Sequence, residues 1–467
     1  MLLTDQPIVI VVPVGALGAG IKYEHLEAGL AAGAHAMAMD AGSTDSGPAA
    51  LATGLSKYSR DAVKADLKLL VAAQAKWGVP LLVGSCGTSG CDAAVDWTRD
   101  IVLELCGELG VSPRIATLYS EQTQSAVLED IRAQRVHPLA PLGVLEPEVV
   151  ERCEHIVALM GPEPYIAALK DGADIVLGGR TTDTAVIAAV PIMRGAGLGP
   201  AWHAGKIAEC GGLCTVTPFD GGVVIRVEAD AFEIEPLSAS NRCTPYTVSA
   251  HMLYENSDPY LLPEPGGVLN VTAAQYTAVN DRVVRVTGSR FIEGAYTMKL
   301  EGAARGPFQT IMLIGITDPE VLADLDSFLT AMHATLVERV IHVLGDAAGV
   351  FDLSLRPYGW NAVSGLPVAG GPPPREIGLL LVATAESQAL ALRIAKICNP
   401  YFFHFPLRPE KELPSYGFPF SPAEIELGQT YQFVLNHVIE TRDGLERVRI
   451  DFVIPNQDAG AAFHAQA

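Results

Sequence analysis

PIVIVVPVG, residues 7–15, is a continuous apolar run of strand length that ends on a glycine. A strand that is apolar at every position is buried on both faces, which is typical of a parallel sheet covered by helices. A helical pattern follows from Tyr23 to Ala32, and AHAMAMD predicts a second strand that ends at Asp40. Because this alternation is repeated, we predict an α/β fold with a mostly parallel sheet and helices on both faces.

The alternation continues through the first 200 residues. VPLLVG, RIATLY, HIVALMG and ADIVLGG are further predicted strands, each followed by a helical pattern, and Ser59 is the predicted cap of the helix that runs towards Trp77. After Thr215 the segments are β-rich, a helix is expected from about Asp318 to Leu344, and Gly370 to Pro374 is the clearest linker. We therefore predict three parts: an α/β domain with glycine-rich ligand loops (1–214), a β-rich region packed on it (215–369) and a small C-terminal α+β module (375–467).

Composition and charge restrict the class of protein. Hydrophobic residues make up 49% of the 467 residues and charged residues 18%, enough apolar material for a large core. The formal net charge of −21 repels nucleic acid and anionic membranes, so neither is a predicted partner, and solubility is the simplest interpretation of this acidity. The N-terminus has no signal-peptide pattern, which predicts a cytoplasmic protein with reduced cysteines. A homo-oligomer is expected from base rates.

Loops rich in glycine, serine and threonine follow the predicted strands. In an open parallel sheet, ligands bind where the carboxyl ends of the strands meet. Glycine permits close approach of the backbone, and helix N-termini attract anions, so we expect the ligand site on these loops. The predicted substrate-binding residues are Gly42, Ser43, Thr44, Ser85, Cys86, Gly87, Gly179, Arg180, Thr181 and Thr182.

Several familiar motifs are absent from the sequence. The first loop lacks the dinucleotide fingerprint, because Leu17 stands where a glycine is required, and there is no phosphate-binding P-loop or G-x-S-x-G elbow. The closely spaced cysteine pairs Cys86/Cys91 and Cys210/Cys214 lack the second pair or the histidines of a structural zinc site. The sequence therefore contains no nucleotide or zinc motif and leaves the cofactor open, and the loop carboxylates are compatible with a divalent metal ion.

The titratable residues of the loops each allow two interpretations. Asp45 and Asp183 follow hydroxyl residues at strand-to-helix turns, where an aspartate either caps the helix or serves as a general acid, a base or a metal ligand. Arg180 is suited to clamp a carboxylate or to form a structural ion pair. For Cys86, inert packing is favoured over a role as a nucleophile.

Two further stretches carry charged candidates. Glu209 precedes a glycine pair at the end of a predicted helix, where the helix dipole disfavours a carboxylate, which hints at a functional role or a solvated position. Lys299 and Glu301 lie two residues apart on one face of a strand, as an exposed ion pair or as part of a catalytic site.

Four separated motifs resemble one known family. They are Asp40-x-Gly42-Ser43-Thr44-Asp45-x-Gly47-Pro48, Gly179-Arg180-x-Thr182-Asp183, Glu209-Cys210-Gly211-Gly212 and Lys299-Leu300-Glu301-Gly302. Together they resemble the acyclic terpene utilisation AtuA family over about residues 7–365, in the branch with a fused small C-terminal module. The family name comes from a gene cluster that degrades citronellol and geraniol through acyl-CoA intermediates. The resemblance implies that Asp45, Arg180, Asp183, Glu209, Lys299 and Glu301 belong to the site, but it assigns none of them a role. Our own prediction is that Asp45, Asp183, Glu209, Lys299 and Glu301 are catalytic.

The acid–base residue types favour a lyase. We expect a hydratase or dehydratase that acts on a hydroxylated or unsaturated carboxylic acid or its CoA thioester, with this small molecule as the partner. An isomerase or a hydrolase on similar substrates would use the same side chains. A non-catalytic subunit of an acyl-CoA-processing complex is the remaining alternative.

Overall fold

A computed structural model describes residues 6–42, 44–366, 372–408, 410 and 412–455, apart from the side chain of Asp45. Ser43 and the first part of the predicted linker, Gly370 and Gly371, lie outside the described residues. The described residues form two compact units, one within the ranges 1–304 and 433–467 and the other within the range 305–432. The three domains expected from the sequence have boundaries different from those of these two units, and the three-part division stays a prediction.

The structure is built from short strands and helices that alternate in the first half of the chain. The strands are β1 (Ile8–Val12), β2 (Ala36–Asp40), β3 (Leu81–Gly84), β4 (Ile115–Tyr119), β5 (Val136–Pro138), β6 (Cys153–Ala158), β7 (Ile175–Gly178), β8 (Val223–Val227), β9 (Ala231–Pro236), β10 (Leu261–Glu264), β11 (Gly267–Asn270), β12 (Gln275–Ala278), β13 (Val284–Thr287), β14 (Arg290–Glu293), β15 (Thr297–Ile316), β16 (Phe351–Tyr358), β17 (Ile377–Ala385), β18 (Ile425–Glu440) and β19 (Arg449–Val453).

The helices are α1 (Tyr23–Ala31), α2 (Ala49–Thr53), α3 (Arg60–Trp77), α4 (Asp92–Leu109), α5 (Gln124–Arg132), α6 (Pro147–Glu151), α7 (Glu163–Lys170), α8 (Asp183–Met193), α9 (Leu198–Ala208), α10 (Pro245–Ala250), α11 (Pro319–Ala323), α12 (Leu325–Leu344) and α13 (Gln388–His404). Ser59 caps α3 as predicted, because its side chain accepts a hydrogen bond from the Ala62 N–H. Among the described residues, none of the helices is both long and apolar enough to cross a membrane.

The first unit is organised around one large sheet. Its strand order is β12-β13-β9-β8-β1-β2-β3-β7-β4-β19. The central strands β1, β2, β3, β7 and β4 are parallel to one another. At the two ends of this parallel group, β8 pairs antiparallel with β1, and β19 pairs antiparallel with β4. The α/β class expected from the sequence, with a parallel sheet and an added β-rich region, is confirmed.

The apolar strands are buried on both faces, as their continuous hydrophobic pattern predicts. In β1, Ile8, Ile10 and Val12 face a core that includes α8 and α9, and the alternate residues Val9 and Val11 face a second core with α1, α3 and α4. Helix α8 packs across β1, β2 and β3. Its N-terminus therefore lies at the carboxyl ends of these strands, where the loops converge.

Two strands have pairing partners that the alternation of strands and helices in the sequence does not predict. The predicted strand HIVALMG, which is β6, does not join the parallel sheet, because it pairs antiparallel with Leu300–Ala304 of β15. Strand β19, expected in the C-terminal module, pairs with β4 at the edge of the large sheet. A pattern of apolar residues predicts a strand but carries no information about its partner.

The second unit has its own sheet and core. Residues Phe308–Ile316 of β15 pair with β17, which pairs in turn with β16. Helices α12 and α13 pack together, and their apolar side chains form one core with the sheet. The single helix expected from Asp318 to Leu344 is divided into α11 and α12 at Asp324, and Asp318 caps α11.

Candidate active site

Two adjoining cavities open in the first unit, at the carboxyl end of the parallel strands. The first has a volume of about 590 Å³ and reaches Asp40 at the end of β2 and the glycine-rich loop after β1. The second, about 490 Å³, is bordered by Arg180, Lys299 and Glu264. Asp183, Glu209 and Glu255 line both cavities. The predicted site at this edge of the sheet therefore has the space to hold a small organic ligand.

Arg180 lies at the centre of the site, on the loop between β7 and α8. Its Nε donates to Glu301 Oε2 at 3.0 Å, and its two terminal nitrogens donate to the hydroxyls of Ser85 and Thr44, each at 3.2 Å. Asp183 Oδ1 lies 3.7 Å from Nη1. Of the two sequence interpretations of Arg180, the structure shows the ion pair, and Arg180 also lines the second cavity.

Glu301 is buried and paired with two cations. Besides Arg180, the Lys299 ammonium donates to its Oε1 at 2.8 Å, and the Thr44 hydroxyl donates to Oε2 at 3.3 Å. Burial by itself would raise the pKa of Glu301, but Arg180 and Lys299 outweigh it and lower the pKa to about 2. Glu301 is therefore held as an anion at neutral pH, and its predicted catalytic role stays a prediction.

Asp40 ends β2 and is buried beside the first cavity. Its Oδ2 accepts a hydrogen bond from the Gly42 N–H at 2.8 Å. Burial, and then the nearby charge of Asp183, raise the pKa of Asp40 well above its ordinary value, and Arg180 opposes this shift only in part. A buried carboxyl group of this kind holds its proton to higher pH than a solvated one.

Glu209 follows α9 and is almost fully enclosed. Lys206, three residues earlier, donates to its Oε1, and the Thr184 hydroxyl donates to its Oε2 at 3.2 Å. Burial raises the pKa of Glu209, with a further upward contribution from Asp183, while Lys206 acts in the opposite direction. The unfavourable helix-end position noted in the sequence is therefore occupied by a carboxyl group with a raised pKa.

Glu264, at the end of β10, completes the group of acids. It lies against the hydroxyls of Thr184 and Thr182, and burial raises its pKa to about 7. Neither Glu264 nor Lys206 was expected at the site from the sequence. Lys206 stands one helical turn before Glu209, a spacing that could have drawn attention to it. Glu264 had no comparable signal, because its neighbours in the site come from distant segments.

The structure brings most of the predicted site residues to this edge of the sheet. Those that line a cavity are Gly42, Arg180, Thr182, Asp183, Glu209 and Lys299. Those that lie behind the cavity walls are Thr44, Ser85, Cys86, Gly87, Gly179, Thr181 and Glu301. Ser43 and the side chain of Asp45 lie outside the described residues, although the backbone of Asp45 is in a short 3-10 turn, Thr44–Ser46.

The residues behind the walls support the site from inside the protein. Cys86 is fully buried and burial raises its pKa, which agrees with inert packing and argues against a nucleophile. A Cβ added to Gly87 would lie 2.7 Å from the Ala94 Cβ, and one on Gly179 would lie 2.9 Å from the Leu118 carbonyl oxygen. These glycines therefore permit close packing, and their predicted contact with substrate stays a prediction.

One set of side chains at the first cavity could hold a metal ion. Glu209, Cys210 and His251 each place a ligand atom within 4.8 Å of the other two. Burial lowers the pKa of His251 to about 4, so its ring is neutral, and its buried Nε2 has no hydrogen-bond partner among the described residues. The donor set fits a transition metal, although the ammonium of Lys206 on Glu209 opposes a second cation there.

The fold and this site define an α/β protein with buried, pKa-shifted acids at the carboxyl edge of its sheet, an arrangement typical of catalytic sites. Residues 54–347 match the model of the acyclic terpene utilisation family protein AtuA, and the chain belongs to this family. The family description refers to a catabolic process. Comparisons with curated proteins and with solved structures returned no match.

Proposed function

We propose that this protein is a lyase of the hydratase or dehydratase type that acts in catabolism. Its substrate would be a hydroxylated or unsaturated carboxylic acid or the corresponding CoA thioester. The observation that carries the proposal is the group of carboxyls with raised pKa around Asp183, namely Asp40, Glu209 and Glu264. Carboxyl groups whose environments separate their pKa values can divide the roles of acid and base between them.

Dehydration of a hydroxy acid requires one group that removes the α-proton and another that protonates the departing hydroxyl. Glu209 is suited to be the acid, because its raised pKa keeps a proton available and it lines both cavities. Asp183 borders the same two cavities and is the proposed base. The C–H and C–O bonds break, a C=C bond forms, and the hydroxyl leaves as water.

Lys299 is the cation best placed to receive the carboxylate or thioester carbonyl of the substrate. Its side chain is 40% exposed and borders the second cavity. The terminal N–H groups of Arg180 already donate hydrogen bonds to Ser85 and Thr44. Arg180 would therefore act on the substrate mainly through its positive charge. Charge at this point would stabilise an enolate-like state of the substrate. Glu301 holds both cations in place and takes no part in proton transfer.

The experiment that tests the proposal follows the exchange of water. The purified protein is incubated in oxygen-18 water with hydroxy and enoic acids and their CoA thioesters, including branched acids of acyclic terpenoid type, and the products are analysed by mass spectrometry. We expect a product that gains or loses one water, with label incorporated on hydration. Each reaction is run with and without a divalent metal, since Glu209, Cys210 and His251 could bind one.

Three other outcomes would contradict the lyase. An unshifted mass with altered retention would indicate an isomerase, and a labelled free acid released from a thioester would indicate a hydrolase. If every compound were returned unchanged under both metal conditions, the protein would be better described as a non-catalytic subunit.

A further inference from the structure

A second cluster of metal-ligating side chains lies outside both cavities. Cys91, Glu121 and His155 each place a ligand atom within 4.8 Å of the other two. Cys91 directly precedes α4, Glu121 follows β4, and His155 lies within β6. None of the three lines either cavity of the candidate active site.

The strand geometry explains why two of these side chains meet. Glu121 forms an antiparallel bridge with Val157, and His155 is two residues before Val157 on the same strand. Residues opposite each other, and residues two apart on one strand, project from the same face of a sheet. Consequently His155 Nδ1 lies 2.5 Å from Glu121 Oε1.

Cys91 completes the cluster from the other side. A Cβ on Gly54 would lie 3.6 Å from both Cys91 Sγ and His155 Nε2, so these two atoms face the same point. The thiol is fully buried, and the Ser89 hydroxyl lies 3.4 Å from its sulfur. A substrate has no access to a buried sulfur atom, so a metal-ligand role fits this geometry better than a nucleophilic cysteine.

Asp92 adjoins the cluster and carries a further carboxylate. Its backbone N–H donates to Glu121 Oε2 at 2.8 Å, which holds the two residues together. Its Oδ1 is buried without a hydrogen-bond partner among the described residues, while Arg449 lies 3.6 Å from Oδ2. A buried carboxylate oxygen without a partner is costly unless a ligand satisfies it.

We propose that Cys91, Glu121 and His155 form a structural Zn²⁺ site, with the adjoining Asp92 turning in as the fourth ligand. Thiolate, imidazole and carboxylate are the three ligand types of zinc, whereas Mg²⁺ and Ca²⁺ prefer oxygen alone. Zinc bonds of about 2.0–2.3 Å in a tetrahedron place the ligand atoms about 3.3–3.6 Å apart. In the cluster the ligand atoms of Cys91, Glu121 and His155 lie within 4.8 Å of one another, and the hydrogen-bonded pair His155 Nδ1 and Glu121 Oε1 at 2.5 Å would move apart to receive the ion.

The zinc ion would join three segments that have no close connection in the chain. It links the start of α4, the loop after β4 and strand β6, which pairs with the segment of β15 that carries Glu301. The spacing of the cysteines in the sequence gives no sign of such a site, since its ligands are spread from residue 91 to residue 155. Zinc bound there would stabilise the folded first unit.

The test measures zinc on the whole chain. Protein stripped with a chelator is titrated with Zn²⁺ by calorimetry, and bound metal is counted by elemental analysis. We expect Cys91→Ser and His155→Gln to weaken one tight site by more than about 10-fold, the lower range for loss of a partner in a zinc site. Cobalt(II) should show thiolate-to-metal absorption that Cys91→Ser abolishes.

Two matched controls make the result decisive. Cys106→Ser changes a buried cysteine within α4 that belongs to neither metal-ligating cluster. Cys210→Ser removes a thiol from the cluster at the first cavity. Both variants should retain the tight site. The proposal is overturned if the protein binds no zinc tightly, or if Cys210→Ser removes the site and Cys91→Ser does not. Should Cys91→Ser fail to fold by circular dichroism, Glu121→Gln and the cobalt spectrum of the unmodified protein decide the question.

Discussion

Glu209 and Glu301 are both buried glutamates of one site, yet their surroundings shift their pKa values in opposite directions. Glu301 is paired with Arg180 and Lys299, which lower its pKa to about 2. Glu209 has one cationic partner, Lys206, and burial together with the charge of Asp183 raises its pKa. The same residue type is thus held as an anion in one place, while in the other its raised pKa supports the proposed role of Glu209 as a proton donor.

The first prediction concerns Glu209→Gln. The amide fills nearly the same space but cannot donate a proton, so we expect kcat for the water addition or elimination to fall by about 100-fold or more. Steady-state kinetics on the substrate found in oxygen-18 water measures this loss. Glu148→Gln, on the exposed face of α6, is the matched control and should leave the rate unchanged. A Glu209→Gln variant of normal activity would remove Glu209 as the acid.

The second prediction concerns the ion pair of Arg180. Arg180→Met leaves Glu301 buried with only Lys299 beside it, and removing one partner of a buried pair typically costs about 3–5 kcal/mol of unfolding free energy. Urea denaturation measures the loss. The double variant Arg180→Met/Glu301→Gln should lose less than the sum of the two single variants.

Arg152→Met, an exposed arginine after α6, serves as the control and should change the unfolding free energy by no more than about 0.5 kcal/mol. Strict additivity of the two single losses would show that Arg180 and Glu301 do not stabilise each other.

At the scale of elements, the site depends on how closely the loops after β3 and β7 approach each other. Gly90 has a φ of +65°, and a Cβ at this position would lie 2.2 Å from the backbone nitrogen of Arg180. The Gly90 carbonyl also accepts a hydrogen bond from that nitrogen at 3.1 Å. A glycine before α4 is therefore required for the position of Arg180 after β7.

The third prediction follows from this contact. Gly90→Ala should destabilise the protein by about 1–3 kcal/mol, through the strained backbone and the displaced loop, and should lower activity. Thermal unfolding and kinetics measure both effects. Gly107→Ala is the control within the next helix, because a Cβ there meets open space and replaces a helical glycine. It should stabilise the protein by about 0.5–1 kcal/mol. Equal effects of the two substitutions would contradict the proposed role of Gly90.

At the scale of the whole molecule, buried carboxyls make stability depend on pH. The pKa of Glu264 is raised from 4.5 to about 7, so between these values the folded protein binds more protons than the unfolded chain. Stability is therefore greatest at low pH within this window and falls as pH rises through the folded pKa. Asp40 and Glu209, whose pKa values are also raised, act in the same direction.

The fourth prediction is that the free energy of unfolding decreases from about pH 5 to about pH 8, with Glu264 contributing at most about 3 kcal/mol. Urea midpoints at a series of pH values measure this slope. Glu264→Gln should flatten it, because the amide does not titrate, and Glu148→Gln should leave it unchanged. An identical slope in Glu264→Gln would show that Glu264 is not protonated in the folded state.

The homo-oligomeric state and the cytoplasmic location stay predictions.

The sequence by itself determined the parallel centre of the fold and predicted the edge at which the candidate site lies. Continuous apolar strands are stable only when both faces are covered, and ligand loops follow from the direction of parallel strands. Arg180, Asp183, Glu209 and Lys299 could be chosen as site residues because they stand in or beside such loops or match the motifs of the AtuA family.

Only the tertiary structure decided which charges meet. Arg180 and Glu301 are 121 residues apart in the chain, and the antiparallel pairing of β6 with β15 brings Glu301 to the site. Glu264 and His251 join the site from segments whose patterns carried no functional signal. A pKa shift depends on burial and on the distance to neighbouring charges, and a metal site depends on separations of a few ångströms. Both are properties of the folded chain, which the local sequence pattern does not contain.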